Sequence, residues 1–383
     1  MTPRARLAAL LAGRQVDRLL VDVGTSTLTA LRPGERPVPG GGGAYGDPVM
    51  HLPLLSPAEL DALGAQTRRV GPAFAGAAID PDKDGFTDRD GVSWIWADGE
   101  PAPLDHPLAG AGIGAIARAP RAPLPPLAGT GLLADPAREQ VVVADVPSPG
   151  LIDTAFRLRG YYELLDDTAE RWPVANAVFD RAADLIARDY RQMLSALPGA
   201  PDLIVYGDDL AHRTGLYLSG ERFGFFLRPR MARLFSVIRT ACPAPLLFHS
   251  CGAIRPILDQ ILALGVRVLN FEPEASGMAI ADVRAAAGPD IVFHGVLDFP
   301  GLAAALRRQD RGRLMATLDD IVAGWPMIAA PRDNIPAQCP HADIRLATAF
   351  LETLDVPRLL AGDRAGVLDE ALDEALAAML LPE

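Results

Sequence analysis

From residue 200 onward, short β-rich apolar runs alternate with helical patterns, and this alternation limits the fold more than any other feature of the chain. Repeated strand-then-helix units are the sequence sign of a parallel sheet covered by helices. The runs fall at 203–206, 245–249, 267–271, 291–296 and 327–330, each followed by a polar or glycine-bearing loop. After the second run, Ile254, Ile257, Leu258, Ile261 and Leu262 recur at helical spacing, and Gly265 closes the segment. Further helices are predicted at 173–196, 229–241, 277–287, 310–323, 342–353 and 366–380, and earlier strands at 18–23 and 140–145. Residues 32–135 carry Pro37, the glycines at 40–43 and a proline-rich stretch at 119–126, and read as loops and short helices.

A chain of 383 residues, 49% of them hydrophobic, can bury a large core. Parallel α/β barrels run from about 200 to over 400 residues as one unit. The expected fold is therefore α/β, a single (β/α)8 TIM barrel with an N-terminal extension and inserted loops. Its expected division is 1–135 for the extension and irregular part, and 136–383 for the main barrel carrying the cleft. With 36 Lys plus Arg against 48 Asp plus Glu, the net charge of -12 repels a phosphate backbone and excludes nucleic acid as the expected partner. The apolar stretch at 7–11 is broken by Arg14 and Asp17, too short for a signal peptide or membrane span, so a cytoplasmic address is expected. The three cysteines cannot make a disulfide framework.

The most informative segment is Phe248-His249-Ser250-Cys251-Gly252, which puts a His and a Cys two apart at a predicted strand's end. Barrel active sites sit at that end of the strands, and imidazole and thiolate are both zinc ligands. A packed His beside a buried Cys is the alternative reading. Cys339 and Asp333, in the loop after the last run, compete as third ligand, whereas Cys242 ends a helix on the opposite side and reads as structural. Asp208 and Asp209 again follow a strand; they read either as catalytic carboxylates or as a helix cap with an Arg partner such as Arg213. Glu272, as a catalytic candidate, and His294 and Asp298, as candidate cofactor contacts, complete a ring of polar residues at strand ends. Asp80-Pro81-Asp82-Lys83-Asp84-Gly85 resembles the start of a calcium loop, but position 12 is Gly91 and a solvated turn is the better reading. The glycines at 40–43 lack the following Lys-Ser/Thr of a phosphate loop.

The series Tyr206-Gly207-Asp208-Asp209-Leu210, Phe226-Leu227-Arg228-Pro229-Arg230 with Leu234-Phe235, His249-Ser250-Cys251-Gly252, and Asn334-Ile335 before Cys339-Pro340 resembles the uroporphyrinogen decarboxylase superfamily. More narrowly it is similar to its methylcobalamin-dependent methyltransferase branch. The resemblance spans residues 140–355 and, weakly, Val21-Asp22-Val23-Gly24 and His106-Pro107-Leu108. It implies a single TIM barrel, with zinc held by a His-x-Cys pair and a later Cys. His249 and Cys251 match the pair, while the aligned position of the later Cys is Asp333, and Cys339 lies six residues beyond it. The Arg-containing signature of true uroporphyrinogen decarboxylases is missing around Arg14 to Thr29, which disfavours haem synthesis. The resemblance implies methyl transfer between a corrinoid protein carrying methylcobalamin and a thiol, a folate or a methylated small molecule. A decarboxylase-like lyase acting on a carboxylated substrate, and a metal-free binding homologue, are the alternatives. A homodimer stays open as a partner state.

Overall fold

Seven strands lie side by side in chain order, all parallel: β1 (Thr67–Pro72), β2 (Val141–Asp145), β3 (Leu203–Gly207), β4 (Leu246–Ser250), β5 (Val268–Phe271), β6 (Val292–Leu297) and β7 (Met327–Pro331). The computed structural model describes residues 1–33, 44–47, 49–75, 85–97, 100–146 and 150–379. The sheet closes on itself through residues 19–23. Val21 bridges Ala329 of β7 in parallel, the Asp22 N–H donates to the Ala329 carbonyl at 2.9 Å, and the Ala329 N–H donates to Leu20 at 2.8 Å. On the other flank the Gln66 N–H, next to β1, donates to the Val21 carbonyl at 3.2 Å. That segment is the eighth stave, and the fold is the expected (β/α)8 barrel. Leu127–Ala128 adds a short antiparallel pairing to the outer end of β1.

The helices used below are α1 (Leu151–Arg159), α2 (Trp172–Ser195), α3 (Arg228–Ala241), α4 (Ile280–Ala287), α5 (Phe299–Arg308) and α6 (Arg311–Ala323). The segment expected as one helix from Ile254 divides into a 3-10 turn, Arg255–Ile257, and a short α-helix, Leu258–Leu262. Pro256 lies in the first turn of the segment, where a missing N–H is tolerated. The change from 3-10 to α falls at Ile257, whose φ of -119° is not helical. Its apolar stripe nonetheless faces inward, with Ile254, Ile257, Leu258 and Ile261 buried.

Residues 32–135 are more regular than expected. They contain β1, whose Arg68-Arg69 pair hides a barrel strand behind charge. Arg68 hydrogen-bonds the Ala65 and Thr67 carbonyls, and Arg69 pairs with the buried Asp145 at 3.1 Å. They also hold an antiparallel sheet of Gly85–Thr87, Ser93–Ala97 and Glu100–Asp105, with its own small core of Val49, Phe86, Val92 and Trp94. The residues at 40–43 and 80–84 lie outside the described residues. Asp88, the later acid of the calcium-like stretch, accepts the Asp90 and Val92 N–H groups and the Trp94 indole N–H, which makes it the anchor of a turn.

The pleat sorts the strands into two faces. Phe248, Leu269 and Phe293 share one row across β4, β5 and β6. That row faces the helices, where Phe235 of α3 meets Phe248 edge-on and Arg284 of α4 lies 3.7 Å over the Phe293 ring. Burying each Phe contributes about 1.5–3 kcal/mol. The next row, His249, Asn270 and His294, is in register by the same pairing and faces the barrel interior near the strands' C-terminal ends.

Candidate active site

At that end His249 Nε2 lies 3.4 Å from the Cys251 sulfur and 3.5 Å from Asp209 Oδ1. The ligand atoms of Asp209, His249 and Cys251 all lie within 4.8 Å of one another. The three come from two neighbouring strand ends, and the Cys251 N–H donates to Asp209 Oδ1 at 2.8 Å, tying the two loops together. A tetrahedral zinc with bonds of its usual length separates its sulfur and nitrogen ligands by about 3.5 Å, so this donor set fits the ion. Imidazole, thiolate and carboxylate are each established zinc donors, and three protein ligands leave a position for substrate.

The electrostatics follow from this crowding. Burial alone would lower the His249 pKa, yet the adjoining Cys251 and Asp209 outweigh it and raise it well above the usual imidazole value. Burial would raise Asp209, but the bonds from His249 and the Cys251 N–H hold it below the usual carboxylate range. Burial pushes the Cys251 thiol up, and the His249 charge only partly offsets this. Asp153, in the first turn of α1, is pushed up to about 7 by burial and by the Asp209 carboxylate. Its Oδ2 accepts the Asp209 N–H at 3.1 Å. A cleft of about 180 Å³ opens here, lined by Asp47, Asp145, Asp153, Arg157, Asp209 and His249 among others. Arg157 sits 5.3 Å over the Trp94 ring, so the inserted sheet forms one wall of this neighbourhood.

The sequence candidates separate into different places. Asp208 is buried, and its Oδ1 accepts the Ile152 N–H at 3.0 Å and the Asp153 N–H at 3.4 Å, capping α1 from another strand. Gly150, at the helix's own N-cap, offers no side chain, and a Cβ there would run into the Asp208 carboxyl. Burial, then the Asp153 charge, raises Asp208 well above its ordinary value. Glu272 accepts the Gly252 N–H at 3.0 Å and pairs with Arg213, which holds the loop after Cys251. Asp298 caps α5 through the Gly301 N–H at 3.0 Å and faces Arg332 at 3.5 Å. His294 is buried and bonded to Asn270 and Asp22. Asp333 is exposed; its charge reaches Cys251. Cys339 is half-buried, with Asp343 and Asp298 as its charged neighbours. Among the described residues the metal-type cluster thus takes Asp209, where the sequence suggested Asp333 or Cys339.

Three residues of the site escaped sequence reasoning. Asp153 reads as an ordinary acid in a helix's first turn, favoured by the helix dipole whatever else it does. Asp22 was visible in Val21-Asp22-Val23-Gly24 as part of a strand, and Asn270 as the residue before Phe271. Only the barrel lattice shows that they meet.

Comparison with known proteins agrees with this architecture. A solved methyltransferase from Methanosarcina mazei superposes with a TM-score of 0.59 at 16% identity, covering 98% of this chain and 99% of that one. An amidohydrolase structure aligns over 49% of this chain and 47% of its own at 12% identity, with a TM-score of 0.28, too low to carry an argument. No curated protein matches the sequence. The family model described as uroporphyrinogen decarboxylase (URO-D) matches residues 151–346, the stretch that supplies His249, Cys251, Asp209 and Asp153. A barrel of eight staves with its polar cluster at the strands' C-terminal ends, together with a match over half of the chain, places this protein in the uroporphyrinogen decarboxylase (URO-D) family.

Proposed function

We propose that the chain is a methyl-group transferase working at a zinc ion held by His249, Cys251 and Asp209. The methyl group moves between the methylcobalamin of a separate corrinoid protein and a small thiol, folate or methylated molecule. The observation that carries this reading is the convergence of imidazole, thiol and carboxylate within 4.8 Å at the barrel mouth. The full-length likeness to a structure titled a methyltransferase supports it.

Zinc bound there supplies Lewis acidity that lowers the pKa of a thiol, or of a leaving heteroatom, presented to it. The chain's own residues do the rest. Asp153 commits Oδ2 to the Asp209 N–H, which leaves Oδ1 to take the substrate's proton from within the cleft. Asp208 holds Asp153 in place by capping the turn that carries it. Glu272 fixes the Gly252 backbone, so the Cys251 side chain keeps its approach to His249.

The test is the metal content of protein purified without a histidine tag, beside the same preparation of Cys251→Ser. About one zinc per chain, lost in the variant, is the expected result for a three-ligand site. Methylcobalamin and thiol assays then follow. No zinc in either preparation overturns the reading and moves the chemistry to the carboxylates around Asp208 and Asp209.

A further inference from the structure

A buried line of hydrogen bonds runs across the barrel interior behind the metal-type cluster. His249 Nδ1 meets Asn270 Oδ1 at 2.6 Å, Asn270 Nδ2 meets His294 Nδ1 at 2.8 Å, and His294 Nε2 meets Asp22 Oδ2 at 2.9 Å. Asp22 Oδ1 accepts the Thr67 hydroxyl at 2.6 Å, and Thr67 meets Thr25 at 2.7 Å. Asp22, Asn270 and His294 are each at most 2% exposed. So much polarity in a barrel core is destabilising unless every group is satisfied, and here each side chain has its partner.

The polarity of the line can be followed from its far end. The Asp22 carboxylate can only accept, so the proton between it and His294 belongs to Nε2 of the imidazole. The Asn270 amide NH2 is turned toward His294 Nδ1, which accepts from it at 2.8 Å. That orientation turns the Asn270 oxygen toward His249, which must donate from Nδ1. Nε2 of His249 is left facing Cys251 and Asp209.

The backbone around the line is shaped to admit it. Gly295 has φ +85°, and a Cβ there would sit 2.5 Å from Asn270 Nδ2. Val296, next along β6, has φ +63°, a left-handed conformation that is an outlier for a β-branched residue. Room for the Asn270 amide is thus made at a conformational cost.

We infer that Asp22, through His294 and Asn270, is a positioning residue that fixes the proton of His249 on Nδ1 and so reserves Nε2 as the metal-facing donor. The inference rests on the zinc reading above. It assigns roles to three residues that touch neither the ion's position nor the cleft.

The experiment exploits the fact that Asn in place of Asp22 can reverse the line. Thr67 keeps the amide oxygen of Asp22→Asn on its own side, the NH2 faces His294, and each downstream group turns over. Metal-free protein labelled with nitrogen-15 at histidine is measured by NMR at a pH where the His249 ring is neutral. In the unaltered chain the proton is expected on Nδ1; in Asp22→Asn it moves to Nε2. Zinc affinity, read by competition with a chelator, is expected to fall about 10- to 100-fold in Asp22→Asn. The double variant Asp22→Asn with Asn270→Asp restores both, because a carboxylate at 270 accepts from His249 Nδ1 whatever His294 does. A proton on Nε2 in the unaltered chain overturns the inference, even if Asp22→Asn fails to fold. So does an Asp22→Asn affinity within about twofold of the unaltered chain, well short of the expected loss. Absence of zinc binding in the unaltered chain would instead overturn the proposed function, while the proton's position would still decide this inference.

Discussion

Two polar networks in this molecule each hang on a buried aspartate and differ in composition and in how they end. One fastens the inserted sheet to the barrel: Asp189 of α2 accepts Arg89 at 2.6 Å and Arg121 at 3.0 Å, and Arg121 also pairs with Asp90. Its carboxylates are met by guanidinium groups, so its charges are spent on one another. The other begins at Asp22, crosses the barrel, and ends at a nitrogen, a sulfur and a carboxylate oxygen clustered beside a cleft that His249 and Asp209 line. A network whose opposite charges are paired with one another holds pieces together, whereas one that ends on nitrogen, sulfur and oxygen atoms able to donate electron pairs is arranged to receive something positively charged. Polar burial alone does not mark a site; the unspent end does.

Substitutions can break or sharpen this contrast. The largest effect is expected at the unspent end: His249→Ala abolishes zinc binding by elemental analysis, while the circular dichroism spectrum keeps its native form. Loss of the spectrum together with the metal would instead make His249 part of the framework. Asp189→Ala takes the carboxylate away from Arg89 and leaves Arg121 paired with Asp90, and is expected to lower stability by about 3–5 kcal/mol in urea unfolding, with zinc per chain unchanged. If zinc were lost as well, the clamp and the site would be one network. Asp298→Ala removes the cap of α5 for about 1 kcal/mol, again with no change in metal. The smallest effect is expected for Asp333→Asn and Cys339→Ser, which leave zinc content and affinity as they were. A drop in either variant would return the third ligand to the loop after β7 and displace Asp209.

The barrel was legible in the sequence because its later strands are plain apolar runs between helices, and each observed strand lies within a residue or so of its run. β1 was hidden because Arg69 answers the inward-facing Asp145, so two charges that cancel in space look like a polar loop on the page. The His249 and Cys251 pair was legible because its members are two apart. Asp208 and Asp209 were visible as neighbours, yet adjacent residues on a strand end point to opposite sides. One caps α1 and the other joins His249, and no one-dimensional signal divides those duties. The Asp22 to His294 bond joins residues 272 apart, beyond any local pattern.

That distance gives the seam of the barrel a significance in time. Asp22 sits on the stave that closes the cylinder, and it meets β6 only when residues 19–23 have docked between β1 and β7. Contacts of such long range form late in folding, since the chain between them must be ordered first. Until the seam shuts, His294 lacks the Asp22 acceptor. If the proposed zinc site and proton placement hold, readiness of that cluster is tied to completion of the cylinder rather than to the strands that carry His249 and Cys251.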